Sequence, residues 1–111
     1  MNSSIDVAQM RQNYADSGLS RDSLPEQPLV LFEEWLAQYV TLDIFEPNAM
    51  VVATASRSGA PSQRTVLMKA YDEKGFVFYT NYGSRKAHQI EENDQVSLIF
   101  PWIPLHRQVI V

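Results

Sequence analysis

The sequence predicts a mainly β domain with flanking helices, and three observations carry that expectation. Apolar residues recur at helical spacing just after residue 28; the period then shifts to two, with β-branched and aromatic residues between turn signals; and one short helical stretch interrupts the strands near residue 84. The chain has 111 residues, 45% of them apolar, including 5 Tyr, 5 Phe and 2 Trp, which is enough for one core and too much for a disordered segment. The expected division is an N-terminal arm and linker over 1–27 and a folded portion over 28–111.

Ile5 to Tyr14 reads as a short helix whose stripe of Ile5 and Ala8, with Met10 or Tyr14, is too thin to dock firmly, so a loose arm is expected. Ser17 to Ser20, then Leu24-Pro25 and Gln27-Pro28, form a polar connection broken by proline. From Pro28, the apolar residues Leu29, Leu31, Phe32, Trp35, Leu36, Tyr39 and Val40 describe the strongest helix, with proline suited to its first position. Met50 to Ala55 reads as a strand, Arg57 to Pro61 as a turn, and Gln63 to Tyr71 as the returning strand. Asp72 to Gly75 is a second turn, Phe76 to Thr80 a third strand, and Ser84 to about Asn93 a helix. Gln95 to Phe100, an elbow over Pro101 to Pro104, and Leu105 to Val111 complete an antiparallel meander. The chain stops at Gln108-Val109-Ile110-Val111 in mid-strand; an apolar edge left there predicts a domain truncated at its C-terminal side.

Composition excludes several classes of function. Without cysteine there is no disulfide, thiolate metal site, thiol nucleophile or iron–sulfur cluster. The first residues lack the basic and apolar runs of a secretory signal, and no window approaches the roughly 20 apolar residues of a membrane span, so a membrane protein is excluded and the cytoplasm is the expected compartment. A net charge of −4 speaks against nucleic-acid binding. The charge is uneven, however: residues 1–46 hold two basic and eight acidic side chains, whereas 47–111 hold seven basic and five acidic, which leaves room for a site that takes a small anion.

Two segments carry candidate chemistry. In Ser84-Arg85-Lys86-Ala87-His88-Gln89-Ile90-Glu91-Glu92, cations occupy the first helical turn and carboxylates the last, opposite to what the helix dipole favours. A phosphate held by free N–H groups, the Ser84 hydroxyl and the two cations would offset that cost; exposed side chains simply tolerating the mismatch is the alternative. In Arg64-Thr65-Val66-Leu67-Met68-Lys69, alternation sends Arg64, Val66 and Met68 to one face and Thr65, Leu67 and Lys69 to the other. Such a strand suits a long amphipathic ligand with charge at its ends, or else is a half-buried strand with solvated cations. Tyr79 and Thr80 precede the Ser84 helix and could converge on the same anion, although a tyrosine packed with its hydroxyl wet is the commoner arrangement. His88 and His106 have no partners at metal-ligand spacing, so no metal is expected, and the adjacent pairs Glu33-Glu34 and Glu91-Glu92 splay apart on a helix as solvated faces. No Gly-rich dinucleotide motif, phosphate loop or nucleophile elbow is present.

Taken in order, Arg64 to Lys69, Phe78-Tyr79-Thr80-Asn81, Gly83 to Gln89, Phe100-Pro101-Trp102 and Arg107-Gln108-Val109 resemble the pyridoxamine (pyridoxine) 5′-phosphate oxidase family. Met10 to Tyr14, Gly18-Leu19 and the Pro28 to Leu36 helix are similar to that family's arm and first helix, so the resemblance spans nearly the whole chain and the N-terminal half of the family's length. It implies a split β-barrel homodimer with flavin mononucleotide (FMN) at the subunit interface. By the same resemblance Arg64, Thr65, Val66, Leu67, Met68, Lys69, Tyr79, Thr80, Arg85, Lys86 and Gln108 would contact FMN. Lys69 would also face the substrate phosphate, with the arm residues Arg11, Gln12, Asn13 and Tyr14 closing over the substrate. The implied reaction oxidises pyridoxamine or pyridoxine 5′-phosphate to pyridoxal 5′-phosphate, with hydride passing to the flavin and O2 becoming H2O2. No side chain is assigned as an obligatory acid or base. A split-barrel module that binds FMN or another phosphorylated cofactor without catalysis is the alternative reading.

Overall fold

The computed structural model describes residues 5–10, 19–80 and 83–111. Helix α1 (Pro28–Val40) starts on proline, whose missing N–H is one that a first turn leaves unpaired in any case. It buries Phe32 and Trp35 and lays Leu29, Leu31, Leu36 and Tyr39 against the same core, while Val40 stays largely exposed. Ahead of it, Val7–Gln9 and Arg21–Ser23 form single 3-10 turns that bury nothing. The helix expected over Ile5–Tyr14 is therefore one exposed turn within residues 5–10, and Arg11 to Tyr14 lie outside the described residues.

The strands are β1 (Ala49–Ala55), β2 (Pro61–Leu67), β3 (Ala70–Asp72), β4 (Gly75–Val77), β5 (Ser97–Trp102) and β6 (Arg107–Ile110), with helix α2 (Arg85–Glu92) between β4 and β5. All pairs are antiparallel, in one sheet ordered β2-β1-β5-β6 and a separate hairpin β3-β4. The simple meander is thus corrected. Strand β1 has both edges occupied, by β2 and by β5, so the hairpin and α2 together form the crossover between those two strands.

Local hydrogen bonding explains the other boundary shifts. The returning strand expected over Gln63–Tyr71 is split, because β1 begins at Ala49, directly opposite Leu67. Beyond that point the Met68 N–H donates to Asn48 O at 2.9 Å, and the Asn48 side-chain amide donates back to Met68 O at 2.8 Å. The Lys69 N–H then donates to Val77 O at 2.7 Å, so the backbone changes partners between Met68 and Lys69. The third strand shortens to Gly75–Val77, since β3 offers it three partners. Strand β5 continues through Trp102, and the elbow moves to Ile103–Leu105, reversed by His106 at φ 54°. In the β1–β2 turn, Gly59 adopts φ +92°, where a side chain would be strained.

One face of β1 looks inward. Met50, Val52 and Thr54 are buried at alternate positions, and their cross-strand partners on β2 are Val66, Arg64 and Ser62. Near Met50 and Val52 the space is aromatic. The Phe32 ring meets Tyr71 at 5.1 Å, Phe76 and Phe100 at 5.2 Å, each edge-on, and Trp102 at 5.4 Å; Tyr39 stacks on Trp102. Tyr71 and Phe76 dock the β3–β4 hairpin on this cluster, so sheet, hairpin and α1 surround one core. The result is mainly β with two helices, a barrel that the described residues do not close. No described helix is long and apolar enough to cross a membrane.

Candidate functional site

Helix α2 packs on β1 through buried Ala87 and Gln89. Its first residue follows Ser84, whose hydroxyl oxygen accepts the Ala87 N–H at 3.1 Å as an N-cap. The Ser84 oxygen that sequence reasoning offered to an anion is therefore occupied in holding the helix start, with Thr80 Oγ1 3.3 Å from it.

The reversed charges of α2 are handled differently at its two ends. At the acidic end, Glu92 Oε2 accepts the backbone N–H of Arg57 at 3.1 Å, and Asn93 Nδ2 donates to Ser56 O at 3.3 Å. The β1–β2 turn thus supplies one donor and one acceptor that the end of an isolated helix would lack. At the basic end Arg85 is exposed and Lys86 half-buried, its ammonium 5.8 Å from the centre of the Phe78 ring. The Lys86 pKa is lowered, first by burial and then by the positive charge of Arg64.

Arg64 is held from below. Its Nη1 donates to Val52 O at 3.1 Å and to Thr54 Oγ1 at 2.8 Å, and its Nη2 donates to Ser62 Oγ at 2.7 Å. Both hydroxyls in turn donate to Gln89 Oε1, each at 2.5 Å. A guanidinium carries five N–H donors; two are spent on these hydroxyls and one on the Val52 carbonyl, which leaves two, one of them on Nε, without a partner among the described residues. Lys86 on the first turn of α2, and Arg64 tied through Thr54 and Ser62 to Gln89 of the same helix, are the cations this end of the sheet offers to a phosphate-like anion.

The other expected site residues divide into three groups. Arg64, Val66 and Met68 turn inward while Thr65 and Lys69 are exposed, as strand alternation requires, with Leu67 half-buried at the strand end. Met68 has its side chain in the core and its backbone tied to Asn48, so it anchors the strand end. Thr80 stands at the helix start, and Tyr79, the residue before it, is 76% exposed. Gln108 lies on β6, at the opposite sheet edge from β2, and lines a cavity of about 330 Å³ with Ile103, His106 and Arg107. Three strand spacings, about 14 Å, separate those edges, so one chain does not bring Gln108 to Arg64. Arg11, Gln12, Asn13 and Tyr14 lie outside the described residues. His88 and His106 are exposed, and so are the paired glutamates, although Glu33 touches Tyr71 and Glu92 is bonded to Arg57. Burial first, then the charge of Glu33 and a hydrogen bond to it, raise the Tyr71 phenol pKa.

Sequence reasoning missed Thr54, Ser62 and Gln89. A signal for Thr54 was present: it takes the third inward position of a strand whose first two are Met50 and Val52. Gln89 gave none, because an amide on a polar helix is unremarkable until its neighbours are known.

Comparison with known proteins places this geometry. The sequence profile of pyridoxamine 5′-phosphate oxidase matches residues 36–111. Curated pyridoxine/pyridoxamine 5′-phosphate oxidases from Escherichia fergusonii and Klebsiella pneumoniae are 58% and 59% identical over 105 residues, covering 95% of this chain and 48% of each relative. The chain therefore spans about half the length of the curated relatives it matches. Among solved structures, PhzG from Burkholderia lata, in complex with tetrahydrophenazine-1-carboxylic acid, superposes with a TM-score of 0.77 at 29% identity, covering 86% of this chain and 48% of that one. A pyridoxamine 5′-phosphate oxidase-related, FMN-binding protein from Nostoc punctiforme shares the fold, with a TM-score of 0.56 at 22% identity over 70% of this chain and 40% of that one. With strand, cation pair and helix start all inside the matched region, the chain belongs to the pyridoxamine 5′-phosphate oxidase family.

Proposed function

We propose that this chain binds FMN and serves the oxidation of pyridoxamine or pyridoxine 5′-phosphate to pyridoxal 5′-phosphate, with O2 reduced to H2O2. The observation that carries this reading is the Arg64 guanidinium, held by Val52, Thr54 and Ser62 with two donors left over, and linked through Gln89 to the helix that bears Lys86 on its first turn. Arg64, Lys86, Arg85, Thr80 and the α2 first turn would hold the FMN phosphate, and strand residues Thr65 to Lys69 would border the rest of the cofactor. Bound FMN supplies the redox chemistry. The protein's part is then to orient cofactor and substrate and to supply positive charge.

The exposed Lys69 ammonium, at the other end of the same strand segment, suits the phosphate of the substrate, and the arm with Arg11, Gln12, Asn13 and Tyr14 would close over it. A homodimer completes the reading. Gln108 and Arg64 stand on opposite edges of the sheet, and in a homodimer a second copy would bring a Gln108 to the Arg64 edge. The outward sheet face also leaves Val51 and Ile99 half-buried and Ile110 64% exposed, an apolar surface suited to a partner. We place the activity in the cytoplasm, as the sequence leads one to expect.

The test is a flavin titration of the full-length gene product, followed by assays for pyridoxal 5′-phosphate and peroxide. Replacing Arg85 and Lys86 together by Ala is expected to abolish FMN binding, because it removes two of the cations that meet the phosphate. Unaltered binding in that variant defeats the phosphate site. Tight FMN binding with neither product formed replaces the oxidase reading by that of a non-catalytic flavin module.

A further inference from the structure

We infer that Gln89 is a positioning residue that fixes the Arg64 guanidinium, through the hydroxyls of Thr54 and Ser62, toward the anion cradle at the start of α2; this rests on the phosphate reading of that cradle. The ring is closed: Arg64 donates to both hydroxyls, and both hydroxyls donate to the one oxygen of Gln89. Each hydroxyl is therefore fixed in direction, acceptor toward arginine and donor toward the amide. Gln89 and Thr54 are themselves buried, at 9% and 2% exposure.

A purely structural account fits this ring poorly. Thr54 occupies an inward position where Met50 and Val52 show that apolar residues pack well, and buried polar networks are commonly no more stable than the apolar packing that could replace them. What the ring achieves is directional. It takes two guanidinium donors, with the Val52 carbonyl taking a third, stops a half-buried arginine from swinging out to water, and leaves Nε with one Nη2 proton as the open edge. Gln89 also stands on the helix that carries Lys86, three residues earlier and about 4.5 Å along the axis, so the ring sets the two cations in register. An amide suits this role better than a carboxylate, which would orient the same hydroxyls but neutralise the charge the anion needs.

The experiment compares binding of FMN with binding of riboflavin, which lacks the phosphate, in the full-length gene product and in the variants Gln89→Met, Ser62→Ala and Arg64→Ala. Gln89→Met is expected to weaken FMN about tenfold and Ser62→Ala about threefold, the loss of one or part of one charge-assisted contact, with riboflavin unchanged. Arg64→Ala is expected to erase the preference for FMN, and adding Gln89→Met to it should cost nothing more. Should Gln89→Met fail to fold, Ser62→Ala, at a half-exposed position, reads the same coupling. Equal losses for FMN and riboflavin indicate a structural role and overturn the inference. So does full FMN affinity in Gln89→Met and Ser62→Ala when Arg64→Ala has lost it, and in that case the phosphate reading survives. An unchanged preference in Arg64→Ala removes the phosphate reading and this inference together.

Discussion

The inner face of β1 has two ends, and they are built on opposite principles. At one end Met50 and Val52 meet α1 and a cluster of aromatic rings, with Phe100 and Trp102 almost wholly excluded from water. At the other, two residues along the same strand, Thr54 meets α2 through a ring of hydrogen bonds that ends in a half-buried arginine. The aromatic end even leaves a donor unsatisfied: Trp102 Nε1 is buried with no partner among the described residues, at a cost that the surrounding apolar burial outweighs. The polar end satisfies its buried groups and yet keeps two cations within each other's field. One end therefore supplies stability by apolar burial, and the other uses hydrogen bonds to hold a cation in a fixed direction.

The largest effect that tests this contrast is at the aromatic end. Phe100→Ala should destabilise the fold by roughly 3–5 kcal/mol, since a fully buried ring leaves a cavity that the neighbouring rings cannot fill. Chemical denaturation measures it, and a loss as small as that of a surface change would break the distinction between the two ends. A smaller effect, about 1 kcal/mol, is expected from Ser84→Ala, which removes the N-cap of α2 and leaves the aromatic core untouched. Hydrogen exchange should then show loosening of α2 ahead of β1 and β5.

The smallest effect distinguishes the ends by sign. Lys86 has a folded pKa below its ordinary value of 10.5, so between those two values the unfolded chain binds more protons and stability rises with pH. Lys86→Met should accordingly be more stable than the natural chain at neutral pH in the absence of ligand. That advantage should shrink as pH climbs toward 10.5, when the ammonium that opposes Arg64 is neutralised. Denaturation of both proteins across that range checks it, and a pH-independent difference would show that the two cations do not interact.

Much of this was legible in the chain itself. The α1 stripe, the alternation of β1, the Ser84 start of α2 and the inward turn of Arg64 all follow from side-chain periods that act over a few residues. The mismatch of charge on α2 was legible too, with a bound phosphate and simple exposure as its two readings. What could not be read was pairing across distance. The split of β2 at Met68 depends on where β1 begins, and β1 sits between β2 and β5 because the short hairpin pairs only with itself. The third strand ends at Val77 and not at Thr80, since only three residues of β3 are there to pair with it.

Local chemistry in the sequence determined the element types, the apolar faces and the cations available, because each depends on neighbours a few positions away. Tertiary structure alone decided that Gln89, 35 residues from Thr54 and 27 from Ser62, would close a ring beneath Arg64. A hydrogen bond needs two groups within about 3 Å, and only the folded arrangement of α2 on β1 supplies that proximity.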